Sequence, residues 1–186
     1  NRKGTGVIDV YLGPLKIVVP DNASSTILNV AAVFSSPKTF TSNTNIDIKY
    51  PVISSCHIDE MNLVGNMILI GNNGNNFITN ILKNNIPIKM SSKGFKYKGV
   101  YYEGEYCIMA AIQNPFDGKN TILVIESNNE NLFKKNVFTR FFALPSYSIG
   151  IHAFLNNEAL IYYNKKYFGI YEWGGEISCV NENISF

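Results

Sequence analysis

The sequence predicts an α/β protein, a three-layer sandwich around a mostly parallel sheet. Three observations carry that prediction. Continuous apolar runs at Met67–Ile70 and Thr121–Ile125, with the strand-like run Tyr106–Ile112, suit strands covered on both faces. Segments with helical spacing alternate with such runs. Gly-, Asn- and Pro-rich turns separate the segments. The chain has 186 residues, enough for one domain with a real core or at most two small ones. It shows no internal repeat and no dividing linker, so a single domain over 1–186 is expected.

In chain order, Leu15–Val19 is a short β-branched strand closed by Pro20. Asp21 or Ser24 can cap a helix reaching about Phe34, with Ile27, Val30, Ala31 and Phe34 on its apolar face. Ile46–Tyr50 alternates and stops at Pro51, as an edge strand would. Ile58–Leu63 reads as a helical turn. The segment Asn66–Leu82 (NMILIGNNGNNFITNIL) then gives a buried strand, a turn at Gly71 and Gly74, and an amphipathic helix with Phe77, Ile78, Ile81 and Leu82.

Phe95–Tyr97 and Val100–Tyr102 flank Lys98-Gly99 as a hairpin with aromatic cross-strand pairs. Asn114–Gly118 (NPFDG) is the turn joining the strands Tyr106–Ile112 and Thr121–Ile125. Asn128 or Asn129 can cap a helix to about Phe142, with Leu132, Phe133, Val137 and Phe141 inward. Ser148–Phe154, Ala159–Tyr163 and Tyr167–Tyr171 are strand-like, the last two joined by a hairpin turn at residues 164–166. The hairpins are expected to decorate one edge of the sheet.

Composition excludes several classes. Sixteen basic and 14 acidic residues are too balanced to argue for nucleic acid or a membrane surface. No apolar run approaches the roughly 20 residues of a membrane span. Asparagine occupies 25 of 186 positions, which the codon bias of an AT-rich genome explains without a prion-like role. The chain opens Asn-Arg-Lys-Gly without an initiator Met, so a fragment or processed part of a larger protein is expected. Cys56, Cys107 and Cys179 show no CxxC spacing, and His57 and His152 lie far apart in sequence; neither a metal site nor a cofactor is expected.

Four candidate sites follow, each beside a blander alternative. Gly71, Gly74 and Asn76 precede a helix, where backbone amides can cradle an anion. The segment lacks a P-loop Lys-Ser/Thr, however, and a structural cap and turn explains it better. Cys56-His57, or His152 with a distant Ser or Cys, gives a hydrolase reading, although neighbours on a strand face opposite ways. Glu103 with Glu105, or Asp59 with Glu60, offers a carboxylate pair or merely solvated charge. The aromatics Tyr97, Tyr101, Tyr102, Tyr162, Tyr163, Tyr167, Tyr171 and Trp173 can stack on sugar rings, dock a neighbouring domain, or pack across strands.

Gly6–Pro20 (GVIDVYLGPLKIVVP), Ile68–Leu82, Gln113-Asn114-Pro115, Ser127-Asn128 and the aromatic ending Ala159–Trp173 together resemble a family. It is the C-terminal flavodoxin-like α/β accessory domain of secreted bacterial esterase-like and peptidase-like hydrolases. The sequence departs from that pattern at Asn73, where a Pro is usual, and at Glu126, where a Gly is common. The resemblance implies a non-catalytic accessory or interaction domain, extracellular or in the cell envelope. Its partners would be a neighbouring domain of the same precursor, a glycan or a cell-surface component. It also places Asn76, Asn114 and Asn128 as ligand-binding or capping candidates, expected along one edge of the sheet. A small hydrolase and a small-ligand or nucleotide binder stand as alternatives.

Overall fold

A computed structural model describes residues 10–11, 13–35, 49–59, 62–72, 74–86, 88–97, 99–135, 158–163, 166–173 and 176–185. Val10, Ile17, Val18, Met67–Ile70 and Ile122–Ile125 are essentially inaccessible to solvent. The strands are β1 (Leu15–Val19), β2 (Val52–Ser54), β3 (Asn66–Gly71), β4 (Ile88–Ser91), β5 (Gly94–Tyr97) and β6 (Val100–Glu103). They continue as β7 (Tyr106–Gln113), β8 (Thr121–Ser127), β9 (Glu158–Tyr163), β10 (Lys166–Trp173) and β11 (Glu176–Ser185). Among the described residues the α-helices are α1 (Ser25–Ser35) and α2 (Phe77–Leu82).

The fold is mixed α/β, with two sheets and two helices among the described residues. The large sheet has the order β11-β10-β9-β7-β8-β3-β1-β2, and β4-β5-β6 form a second sheet. Pairing is parallel from β2 through β1 and β3 to β8, then antiparallel through β7, β9, β10 and β11. The expected mostly parallel sheet is thus parallel in one half only. The reason lies in the connections: NPFDG joins β7 to β8 in five residues plus a short extension, and a loop that short can only join antiparallel neighbours.

In the parallel half β1, β3 and β8 are buried on both faces, as their apolar runs require, whereas the edge strand β2 is partly exposed. Leu15, Ile17, Val19, Ile68, Ile70, Leu123 and Ile125 pack beneath Ile27, Val30, Ala31 and Phe34 of α1. The alternate residues Val18, Met67, Leu69, Ile122 and Val124 pack against Ile78 and Leu82 of α2. Helices α1 and α2 therefore cover opposite faces. This follows from strand order: the chain moves outward from β1 to β2, then returns past β1 to β3 and β8. Ser24 accepts a hydrogen bond from the Ile27 amide at 3.3 Å at the start of α1.

Several elements differ from expectation. Lys49 and Tyr50 are not strand; β2 begins at Val52, because Pro51 supplies only its carbonyl, to the Ile17 amide at 2.9 Å, and needs no ladder donor. Residues 46–48 of that expected strand lie outside the described residues. A 3-10 turn forms over Ser55–His57, with Ile58 extended. Within the expected turn Ile58–Leu63, Asn62 is 3-10 and its amide donates to the Asp59 carbonyl at 3.0 Å, while residues 60–61 lie outside the described residues. After Asn129 the chain forms a 3-10 helix, Glu130–Lys135, burying Leu132 and Phe133. The rest of that expected helix, with Val137 and Phe141, and the expected strand Ser148–Phe154 lie outside the described residues. Phe77 and Ile81 are exposed rather than inward, since a six-residue helix presents only one stripe, Ile78, Thr79 and Leu82, to the sheet.

The β5–β6 hairpin turns on two residues, with Tyr97 opposite Val100 and Gly99 at φ +80°. Phe95 stacks on Tyr102 at 4.8 Å between centroids and meets Tyr106 edge-on at 4.7 Å. These contacts seat the small sheet on β7, where Ile88, Phe95 and Tyr97 join Tyr106, Ile108 and Ala110. Gly94 makes the seating possible, because a Cβ there would lie 2.1 Å from the Tyr102 carbonyl oxygen. Gly94→Ala is expected to cost about 2 kcal/mol, as forced overpacking does, in urea unfolding. A variant as stable as the parent would contradict that close approach.

Candidate ligand-binding site

Parallel strands end at the edge where α/β proteins usually hold ligands, beside the point where strand order reverses. Here that point lies between β1 and β3. Gly71 ends β3 at φ +126°, and a Cβ there would sit 2.5 Å from Asn75 Oδ1 and 2.9 Å from Pro20 Cγ. The turn beyond it is closed on itself. Asn72 N donates to Asn75 Oδ1 at 2.8 Å, Gly74 N to Asn72 Oδ1 at 2.8 Å, and Asn76 N to the Asn72 carbonyl at 2.8 Å.

The first amides of α2 are also taken. Phe77 N donates to Ser55 Oγ at 3.3 Å, and Ile78 N and Thr79 N donate to Asn76 Oδ1 at 3.1 and 3.2 Å. Asn80 N donates to the Asn76 carbonyl at 3.0 Å. An anion at this turn would have to displace those partners. On the neighbouring loop, Asp21 Oδ1 accepts from Cys56 N at 2.9 Å, Ser54 Oγ at 3.0 Å and Ser55 Oγ at 3.1 Å. The Cys56 backbone N–H and side chain, with the serine hydroxyls, hold the Asp21 carboxyl below its ordinary range.

The three asparagines share one device. Asn76 Nδ2 donates to the carbonyls of Val18 and Ile70 at 3.1 and 3.0 Å, tying β1 to β3. Asn114 Nδ2 reaches the Leu63 and Gly65 carbonyls at 2.9 and 2.8 Å, while its Oδ1 accepts from Phe116 N. Asn128 Nδ2 reaches Ser91 and Gly104, and its Oδ1 accepts from Tyr106 N at 2.8 Å. Each amide is consumed by backbone.

Their expected placement along one edge needs correction. Asn76 and Asn128 follow parallel strands, β3 and β8, but Asn114 follows β7, which runs the other way. It therefore sits at the opposite edge, beside the start of β3. Asp117 reinforces that edge: burial would raise its carboxyl, but donors from Asn120, Gly65 and Lys119 outweigh this and hold it well below the usual carboxylate range.

The other candidates separate. Cys56 is a free, exposed thiol, His57 is exposed, and His152 lies outside the described residues. Glu105 accepts from Asn129 Nδ2 at 2.8 Å on an exposed loop; Asp59 accepts from Asn62 Nδ2, and Glu60 lies outside the described residues. Tyr101 is 53 % exposed and Tyr102 half-buried on Phe95. For Tyr163, Tyr167 and Trp173 the backbone register alone is described: Tyr163 opposite Tyr106, Tyr167 opposite Tyr162, Trp173 opposite Glu176. Among the described residues no cluster of His, Cys, Asp and Glu could hold a metal ion, and no helix is long and apolar enough to cross a membrane.

Sequence reasoning noted Glu126 only as a departure from the resembled family and gave it no role. It follows the apolar run of β8 on the face shared by Ile122 and Val124, and only 3 % of it is accessible. It lies in a recess of about 120 Å³ between β8, the turn after α2 and β4. Lys83, Asn84, Lys89, Ile86, Ile88 and Met90 complete the lining. Among the described residues no hydrogen-bond donor reaches its carboxyl. Lys89 Nζ donates instead to the Lys83 carbonyl. Burial pushes Glu126 up to about 7, and the positive charge of Lys89 opposes this only in part.

Searches against protein-family models, curated proteins and solved structures found no match for this chain.

Proposed function

We propose that the chain is a non-catalytic binding domain, a flavodoxin-like three-layer sandwich, that holds a small ligand in the recess above Glu126. The observation that carries this is Glu126, 3 % exposed, whose carboxyl opens onto the recess and meets no hydrogen-bond donor among the described residues. Burying such a group is unfavourable, and interiors ordinarily pair it or exclude it. A perturbed carboxyl within a recess walled by apolar side chains and a few polar groups is the arrangement of a ligand site. The accessory role suggested by the sequence resemblance, in an exported protein, is compatible with a binding domain of this kind.

A second reading rests on β6, where Val100 and Tyr101 are 52 % and 53 % exposed although their side chains leave opposite faces of the strand. That hairpin would be a glycan or domain-docking face. One thermal-shift panel tests both readings, using amines, carboxylates, amino acids, oligosaccharides and nucleotides at pH 7.5. The recess reading expects a stabilising compound whose effect disappears in Glu126→Gln. A sugar effect that survives Glu126→Gln but is lost in Tyr101→Ala would favour the hairpin. A panel in which no stabilisation depends on Glu126 overturns the recess reading.

A further inference from the structure

Resting on that binding role, we propose that the recess takes a free amino acid with a small side chain, its ammonium on Glu126 and its carboxylate toward Lys83 and Lys89. The carboxyl of Glu126 offers acceptors and meets no donor among the described residues. Three N–H donors on one compact ammonium satisfy it and carry the charge that a buried carboxylate requires. A neutral donor would leave that charge uncompensated.

The second charge is set by the rim. Lys83 and Lys89 are exposed side chains lining the same recess. A simple amine would pair with Glu126 but leave Lys83 and Lys89 without an anion of their own. A carboxylate on the same ligand supplies that anion and gains charge-assisted contacts. The remaining wall, Ile86, Ile88 and Met90, is apolar and suits a hydrogen or methyl-sized side chain.

Size limits the choice. The recess is small, about 120 Å³, and open to solvent on one side, so glycine, alanine or serine fill it and an aromatic side chain would project beyond it. Binding requires the ionised carboxyl, so it releases a fraction of a proton near neutral pH, since burial holds free Glu126 at about 7.

The test is isothermal titration of the full chain at pH 7 with glycine, alanine, serine, phenylalanine, ethylamine and propionate, repeated in buffers of different ionisation enthalpy. A small amino acid is expected to bind with proton release, at least tenfold tighter than ethylamine or propionate. Glu126→Gln should weaken it at least tenfold and abolish the proton release. Lys89→Met should weaken the amino acid while leaving ethylamine unweakened. Ethylamine binding as tightly as alanine, with Glu126 still required, overturns the amino-acid assignment and leaves the recess as an amine site. No Glu126-dependent binding of any compound here or in the broader panel overturns both.

Discussion

Glu126→Gln is expected to make the folded chain more stable by about 3 kcal/mol at pH 8 and to leave it little changed at pH 4. The sign follows from the direction of the shift. Burial raises the folded carboxyl from 4.5 to about 7, so the folded state holds its proton after the unfolded state has lost one. Below pH 4.5 both states are protonated and the carboxyl costs nothing. Stability then falls as pH rises through the interval, and the loss is complete above about 7. Lys89 and Lys83 are the charged groups that line the recess with Glu126. Glutamine stays neutral, so the difference between the two proteins grows with pH, whatever constant offset the amide brings. Urea unfolding of both at pH 4 and pH 8 measures it. A pH-independent difference would mean that Glu126 is solvated and ordinary.

Asn76→Ala is expected to cost a similar amount, about 3 kcal/mol, at every pH. The side chain is 1 % exposed and makes four hydrogen bonds, two donated to the carbonyls of Val18 and Ile70 and two accepted from the first turn of α2. Loss of a cap alone costs about 1 kcal/mol. The remainder comes from buried carbonyls that lose a donor. Asn76→Asp separates these contributions, because aspartate caps a helix as well as asparagine does but has no N–H to give. It is expected to be no more stable than Asn76→Ala. Recovery of most of the stability in the aspartate variant would show that capping is the whole role.

Much of the parallel half was legible in sequence because its signals are local. The apolar runs of β3 and β8 announce strands buried on both faces, and the spacing of Ile27, Val30, Ala31 and Phe34 marks the buried side of α1. Asn76 was legible as a helix cap for the same reason. Its bonds to Val18 and Ile70 were not, since one of those partners is 58 residues away. Asn114 was assigned to the wrong edge because edge placement depends on strand direction, which an apolar run does not encode.

Glu126 was illegible for a sharper reason. At the end of TILVIES it looks like the usual charged residue where a strand meets solvent. It is buried because the turn after α2 and strand β4, some 40 residues earlier in the chain, fold across it. Strand β11 was missed because EISCVNENIS lacks a sustained apolar alternation, and its pairing with β10 is a tertiary choice.

The most direct measurement is a carbon-13 NMR titration of the Glu126 side-chain carboxyl, with and without alanine. A midpoint near 7 in the free chain, displaced downward by alanine, is the predicted result, because a bound ammonium favours the charged form. A midpoint near 4.5 that alanine does not move would contradict both the buried, unpaired carboxyl and the site built on it.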